Sequence, residues 1–135
     1  MLVGGFVAGL DAGLTYNTFP LMDGKFVPDG LLSMSPAFLN IFENVTTVQF
    51  DHRMMAYGTI LLVRFTVWLA RAHGLSGRQM MPFYLFATLM VAQVLLGVTT
   101  LLWAVPISLG ALHQLTAFLL LMAGLWSLHS VRIQE

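Results

Sequence analysis

No cysteine occurs in the chain, so disulfides, thiolate nucleophiles and cysteine-ligated metals are all excluded. Charge is nearly as scarce. Only 9% of the 135 residues are Asp, Glu, Lys or Arg, against about 25% in an ordinary soluble domain. The six acidic and six basic residues cancel, and no basic patch interleaved with aromatics exists, which argues against a nucleic-acid partner. A Walker-type phosphate loop is missing too, and "GLDAG" lacks the strand-turn-helix setting of a dinucleotide fingerprint. What remains is apolar: 58% hydrophobic residues and a mean hydropathy of +0.82. Too few charges are present to build a water-facing surface, so the bilayer is the expected solvent. The nine Met residues read as packing rather than ligands.

Three segments, from about residue 48 to 70, 80 to 103 and 109 to 131, each offer the ~20 apolar residues that a membrane span requires. The N-terminal run "MLVGGFVAGLDAG" has no basic leader and is half that length, and reads as the outgoing end of a longer helix in a fragment. The expected fold is an all-α membrane protein: an antiparallel transmembrane four-helix bundle with a truncated first helix and a long extracytoplasmic loop, residues 14–45. Arg71 and Arg78 flank a Gly-Ser-Gly breaker, which places that connection on the cytoplasmic or matrix side. The long loop, with Asp23, Asp29 and Glu43 against Lys25, falls on the opposite side, as does a tight turn at Pro106. Trp68, Trp103 and Trp126 fall near span ends, as an interfacial belt requires.

Four histidines are sorted by depth. His52 and His113 each lie about one turn inside the outer end of helices that run parallel. His129 is 16 residues beyond His113, roughly 24 Å away along a helix, and His73 is in the inner loop. Ionisable groups within a membrane are costly and point to function. Zinc wants three or four ligands, which this depth does not supply. Two facing imidazoles suit haem iron, which needs only axial ligands from the protein. Ala56, Thr59, Ala117 and Gly97 offer small surfaces for a macrocycle. The competing reading makes each His an interfacial hydrogen-bonder and each small residue a helix-packing contact. Gln49, three residues before His52, shares its face and is placed to bond a ligand ring or a cofactor substituent. Arg53 has two readings: a haem propionate at the wet edge, or an ion pair with Asp51 or Glu43. Asp51 also suits a helix N-terminus. Arg64, mid-span, is expected to reach down toward the inner headgroups.

The stretches "GLDAGLTYNTFPLMDGKFVP", "NIFENVTTVQFDHR" and "PISLGALHQLTAFLLL" resemble the C-terminal half of haem A synthase, in its mitochondrial and alphaproteobacterial branch. That resemblance covers essentially the whole chain and implies an oxidoreductase of haem A biosynthesis that serves cytochrome c oxidase assembly. It implies two similar four-helix bundles, each with a His pair; the first oxidises the haem O methyl to the formyl of haem A and carries a Glu three residues before its first His. Residues 1–135 would be the second bundle, holding haem b through His52 and His113 as axial ligands of the iron. Gln49 stands where the first bundle has Glu, which implies electron relay rather than substrate oxidation. The implied partners are haem O and haem A through the absent first bundle, membrane lipid, an external electron donor and a second copy in a homo-oligomer. The implied setting is a bacterial plasma membrane or the mitochondrial inner membrane. Tyr16 and Asn17 would be polar contacts in a lid over the outer haem edge. The remaining alternatives are a self-standing b-type membrane cytochrome and a haem-free assembly subunit.

Overall fold

The computed structural model of the chain describes residues 2–132. Four α-helices carry the fold: α1 (Leu2–Gly9), α2 (Val45–Ala72), α3 (Met81–Leu102) and α4 (Ile107–Arg132). There is no strand among the described residues, and only an isolated bridge joins Met22 to Lys25. α4 packs on α3, α3 on α2 and α1 on α2, whereas α2 and α4 are not paired so closely. Short turns join α2 to α3 and α3 to α4, so α2 and α4 run in the same direction.

The three long helices fall on the three expected segments, extended by one to three residues at most ends. α3 and α4 are each long and apolar enough to cross a membrane, and only 11% of each apolar window is buried inside the protein. A soluble core helix of that composition would be mostly buried; here the apolar surface faces outward, where lipid satisfies it. α2 is longer, at 28 residues, but falls short of the same apolar standard. The cause is its ends and middle: Asp51, His52 and Arg53 near one terminus, Arg71 near the other, and exposed Arg64 between them. Its outer face is still greasy, with Leu61, Phe65 and Trp68 more than half exposed.

The inner turn follows from its glycine. Gly74, at φ 79°, ends α2 by letting Leu75 N–H donate to Ala70 O at 3.1 Å and His73 N–H to Leu69 O at 2.9 Å, a left-handed helix stop that a Cβ would oppose. Ser76 and Gln79 then form a reciprocal capping box before α3. Ala70, Met80 and Phe83 form a small apolar core beneath it, and Arg71 lies 5.5 Å over the Tyr84 ring. The outer turn is tighter. Ala104 and Val105 both adopt φ 55° ahead of Pro106, a left-handed conformation that strains a β-branched residue.

The long loop is ordered by two asparagines. Asn44 caps α2, its Oδ1 accepting from Thr47 N–H at 3.0 Å, while its amide donates to Gly30 O, Ser33 Oγ and Asn40 Oδ1. Fully buried Asn40 accepts from Met34 N–H and donates to the carbonyls of Met34 and Ala37. Asn44→Ala removes the cap and leaves several buried groups unpaired. The expected cost is roughly 1–3 kcal/mol, measurable as a lower midpoint in detergent melts and faster proteolysis within residues 30–44. Unchanged melting and proteolysis would show that the loop is held by other contacts.

Candidate functional site

His52 on α2 and His113 on α4 face each other across the space left between those helices. Their ring centroids lie 6.4 Å apart with planes at 71°. Both imidazoles are partly buried, whereas His73 and His129 are exposed and lie outside the pair. The depth argument therefore brings together two of the four histidines and leaves the other two apart.

Small residues make room for the rings. A Cβ placed on Gly97 of α3 would sit 2.8 Å from His113 Cε1 and 3.4 Å from Nδ1, closer than real side chains tolerate. On the other side, a Cβ on Gly4 of α1 would sit 3.5 Å from His52 Cε1, an ordinary contact. Gly97 was expected beside the ligands; Gly4 was not, because the short N-terminal run read only as a helix end. Thr59, expected to line the slot, turns its hydroxyl back to Met55 O at 2.7 Å.

The loop closes over α2 through Gln49 and Arg53, both buried. Tyr16 O accepts from Gln49 Nε2 and from Arg53 Nη2, each at 3.0 Å, and Arg53 Nη1 donates to Pro20 O and Leu21 O. Asn17 donates to Gly13 O and Leu101 O, both at 2.8 Å, tying the loop to the end of α3. Tyr16 and Asn17 thus engage the protein itself, Tyr16 through its backbone. Arg53 forms neither of the ion pairs considered from sequence. Glu43 lies ahead of the helix cap, and Asp51 precedes Arg53 by two residues, which points it about 200° away around the helix. Among the described residues the one ion pair joins exposed Lys25 and Asp29.

Four buried polar side-chain atoms lack a hydrogen-bond partner among the described residues: Gln49 Oε1, Arg53 Nε, Gln93 Oε1 and His113 Nδ1. Native interiors leave few such groups; Gln93 and His113 contact each other, and Gln49 and Arg53 flank His52 along α2. Gln93 of α3, 3.2 Å from His113 Nε2, escaped the sequence reading; its signal was a lone amide in an otherwise apolar span. Two apolar cavities, of about 400 and 320 Å³, lie elsewhere: one against α3 and α4 at Leu89 and Met122, the other at the inner end beside His73 and Phe83. Neither touches the imidazole pair. No group of three or more His, Cys, Asp or Glu side chains that could hold a metal ion exists among the described residues.

Apolar helices with little buried surface define an all-helical membrane protein, in which the rings of His52 and His113 lie side by side. Residues 1–125 match the COX15-CtaA family, described as cytochrome oxidase assembly protein, and the chain belongs to that family. It is 48% identical over 134 residues to the protein named heme A synthase of Nitrosospira multiformis, covering 99% of this chain and 38% of that one. It is 44% identical to the heme A synthase of Parvibaculum lavamentivorans, covering 95% of this chain and 36% of that one. The mouse protein named heme A synthase COX15 is also 44% identical, over 97% of this chain and 32% of its own length. The chain thus spans about a third of the length of these relatives. No solved structure matches it.

Proposed function

We propose that this chain holds a haem b between His52 and His113 and serves as the electron-relaying half of a haem A synthase. The whole protein would oxidise the haem O methyl to the formyl of haem A. In this reading α2 spans the membrane with α3 and α4, and α1 completes one corner of a four-helix bundle.

The observation that carries the reading is the 6.4 Å between ring centroids. Two imidazoles trans on one metal, each bonded at about 2 Å through a nitrogen about 1.1 Å from its ring centre, hold their centroids about 6 Å apart. The pair therefore sits close to ligating separation. Parallel stacking would bring the rings closer, while an edge-to-face contact, about 4.5–7 Å between centroids, includes this separation too; independent interfacial histidines have no reason to meet at one depth. The unpartnered Nδ1 of His113 also fits an occupant between the helices.

Bound there, the iron would supply one-electron chemistry by cycling between ferric and ferrous states. The protein's own residues do the rest. His52 and His113 would hold the iron, Gly97 makes room for the His113 ring, and Gln49 and Arg53 hold the loop over α2. Arg53 keeps a cation and an unused Nε–H at this edge, suited to an anionic substituent. Gln49 is an amide and takes no proton at neutral pH, so it fits a site that orients groups rather than one that abstracts a proton.

The purified chain should therefore carry haem b, and incubation with haem O, oxygen and a reductant should yield no haem A. Chromatography of the extracted haems checks both. Haem A formed by this chain alone, or a chain that binds no haem at all, would overturn the proposal.

A further inference from the structure

We propose that the face of α2 bearing Arg64 and Arg71, together with Tyr84 of α3, binds the phosphate of an anionic phospholipid in the leaflet at the α2–α3 turn. The inference rests on the reading that α2 spans the membrane beside α3 and α4.

Arg64 precedes Ala72, the end of α2, by eight residues, about 12 Å along the axis. In a spanning helix that depth is hydrocarbon. The residue is exposed rather than turned into the bundle, and a guanidinium there is costly without an anion. The described residues supply none. Their one ion pair joins Lys25 to Asp29. Asp11, Asp23, Asp29, Glu43 and Asp51 all belong to the opposite end of the molecule, and Glu135 lies outside the described residues.

Arg71 follows Arg64 by seven residues, two turns, and so shares its face to within about 20°. Leu61 and Trp68 complete the stripe at three and four residues from Arg64, both more than half exposed. Tyr84 already orients Arg71: the guanidinium lies 5.5 Å over its ring, and Nη2 donates to the phenol oxygen at 3.3 Å. Tyr84 thereby accepts, and its own O–H is left to donate to a third party. Forked guanidinium donors match phosphate oxygens, and Trp68, stacked on Phe65 at 5.7 Å, offers an apolar flank to acyl chains.

Charge and setting together select the occupant. Basic pockets between membrane helices on this side take anionic head groups, and a lipid brings both a phosphate and apolar tails to a face that is part basic, part apolar. A zwitterionic lipid carries its own cation, which two arginines repel.

Trp68 lies between the two arginines and reports on the site. In a Trp103→Phe, Trp126→Phe background it is the only indole. That chain is placed in phosphatidylcholine vesicles containing a minor fraction of brominated lipid. Brominated phosphatidylglycerol should quench Trp68 at a lower mole fraction than brominated phosphatidylcholine. Arg64→Gln and Arg71→Gln should each weaken that preference about fivefold, and the double variant should abolish it. Arg78→Gln removes the same charge from the turn and should leave the preference in place. Equal quenching by the two lipids in the parent chain would overturn the inference. So would a loss in Arg78→Gln as large as that in Arg64→Gln, which would mean diffuse attraction without a site. If neither lipid quenches Trp68, this face of α2 is not in lipid, and the spanning reading falls together with the inference.

Discussion

Replacing either His52 or His113 by Ala should abolish the low-spin, bis-imidazole absorbance of the haem-loaded chain. The two rings belong to different helices, and neither substitution has a nearby imidazole to compensate for it. His73 and His129 are exposed and lie apart from the pair; a helix of 16 residues separates His113 from His129, roughly 24 Å. With one axial nitrogen gone, the iron keeps a single protein ligand and turns high-spin or dissociates. His73→Ala and His129→Ala should leave the spectrum intact. Visible spectra of the four purified variants check this, and haem lost from His129→Ala but kept in His52→Ala would place the site at the wrong end of the helices.

Gly97→Val should weaken haem retention without unfolding α3. The first added carbon already falls 2.8 Å from His113 Cε1, so the imidazole must swing out of its seat or the helices must part. Overpacking of this kind typically costs 1–3 kcal/mol, which corresponds to about 5- to 150-fold in affinity. Valine is accommodated in a helix, and removing glycine from a helix interior is otherwise favourable by roughly 0.5–1 kcal/mol. Gly58→Ala and Gly110→Ala supply the control, since a Cβ at either meets nothing within 4 Å; both should bind haem as the wild type does. Titration of haem into detergent-solubilised protein gives the comparison. Equal affinity for Gly97→Val would mean that the notch does not serve the ligand.

Much of this architecture was legible in the sequence because apolar length and breakers are local signals. The end of α2 and the starts of α3 and α4 follow from Gly74, the Ser76 capping box and Pro106, each visible as a residue type. The pairing of His52 with His113 was legible because depth along a helix is a matter of counting. Rotation about the helix axis was not. α3 is apolar around nearly its whole circumference, so no period marks the side facing α4, and Gln93 gave no hint that it meets a ring twenty positions away. Arg53 illustrates the same gap. Its partners are the backbone carbonyls of Tyr16, Pro20 and Leu21, more than thirty residues distant, and a carbonyl carries no signature in the sequence. The nearby carboxylates of Glu43 and Asp51 drew attention because charge is visible, while the loop's path over α2 is not.

Near-infrared magnetic circular dichroism of the oxidised, haem-loaded chain tests ligation most directly, because the energy of its charge-transfer band reports the pair of axial ligands. The expected band is that of two imidazoles, present in the wild type and lost in His52→Ala and in His113→Ala. A band from any other ligand pair in the wild type, or one that survives both substitutions, would contradict a haem held between α2 and α4.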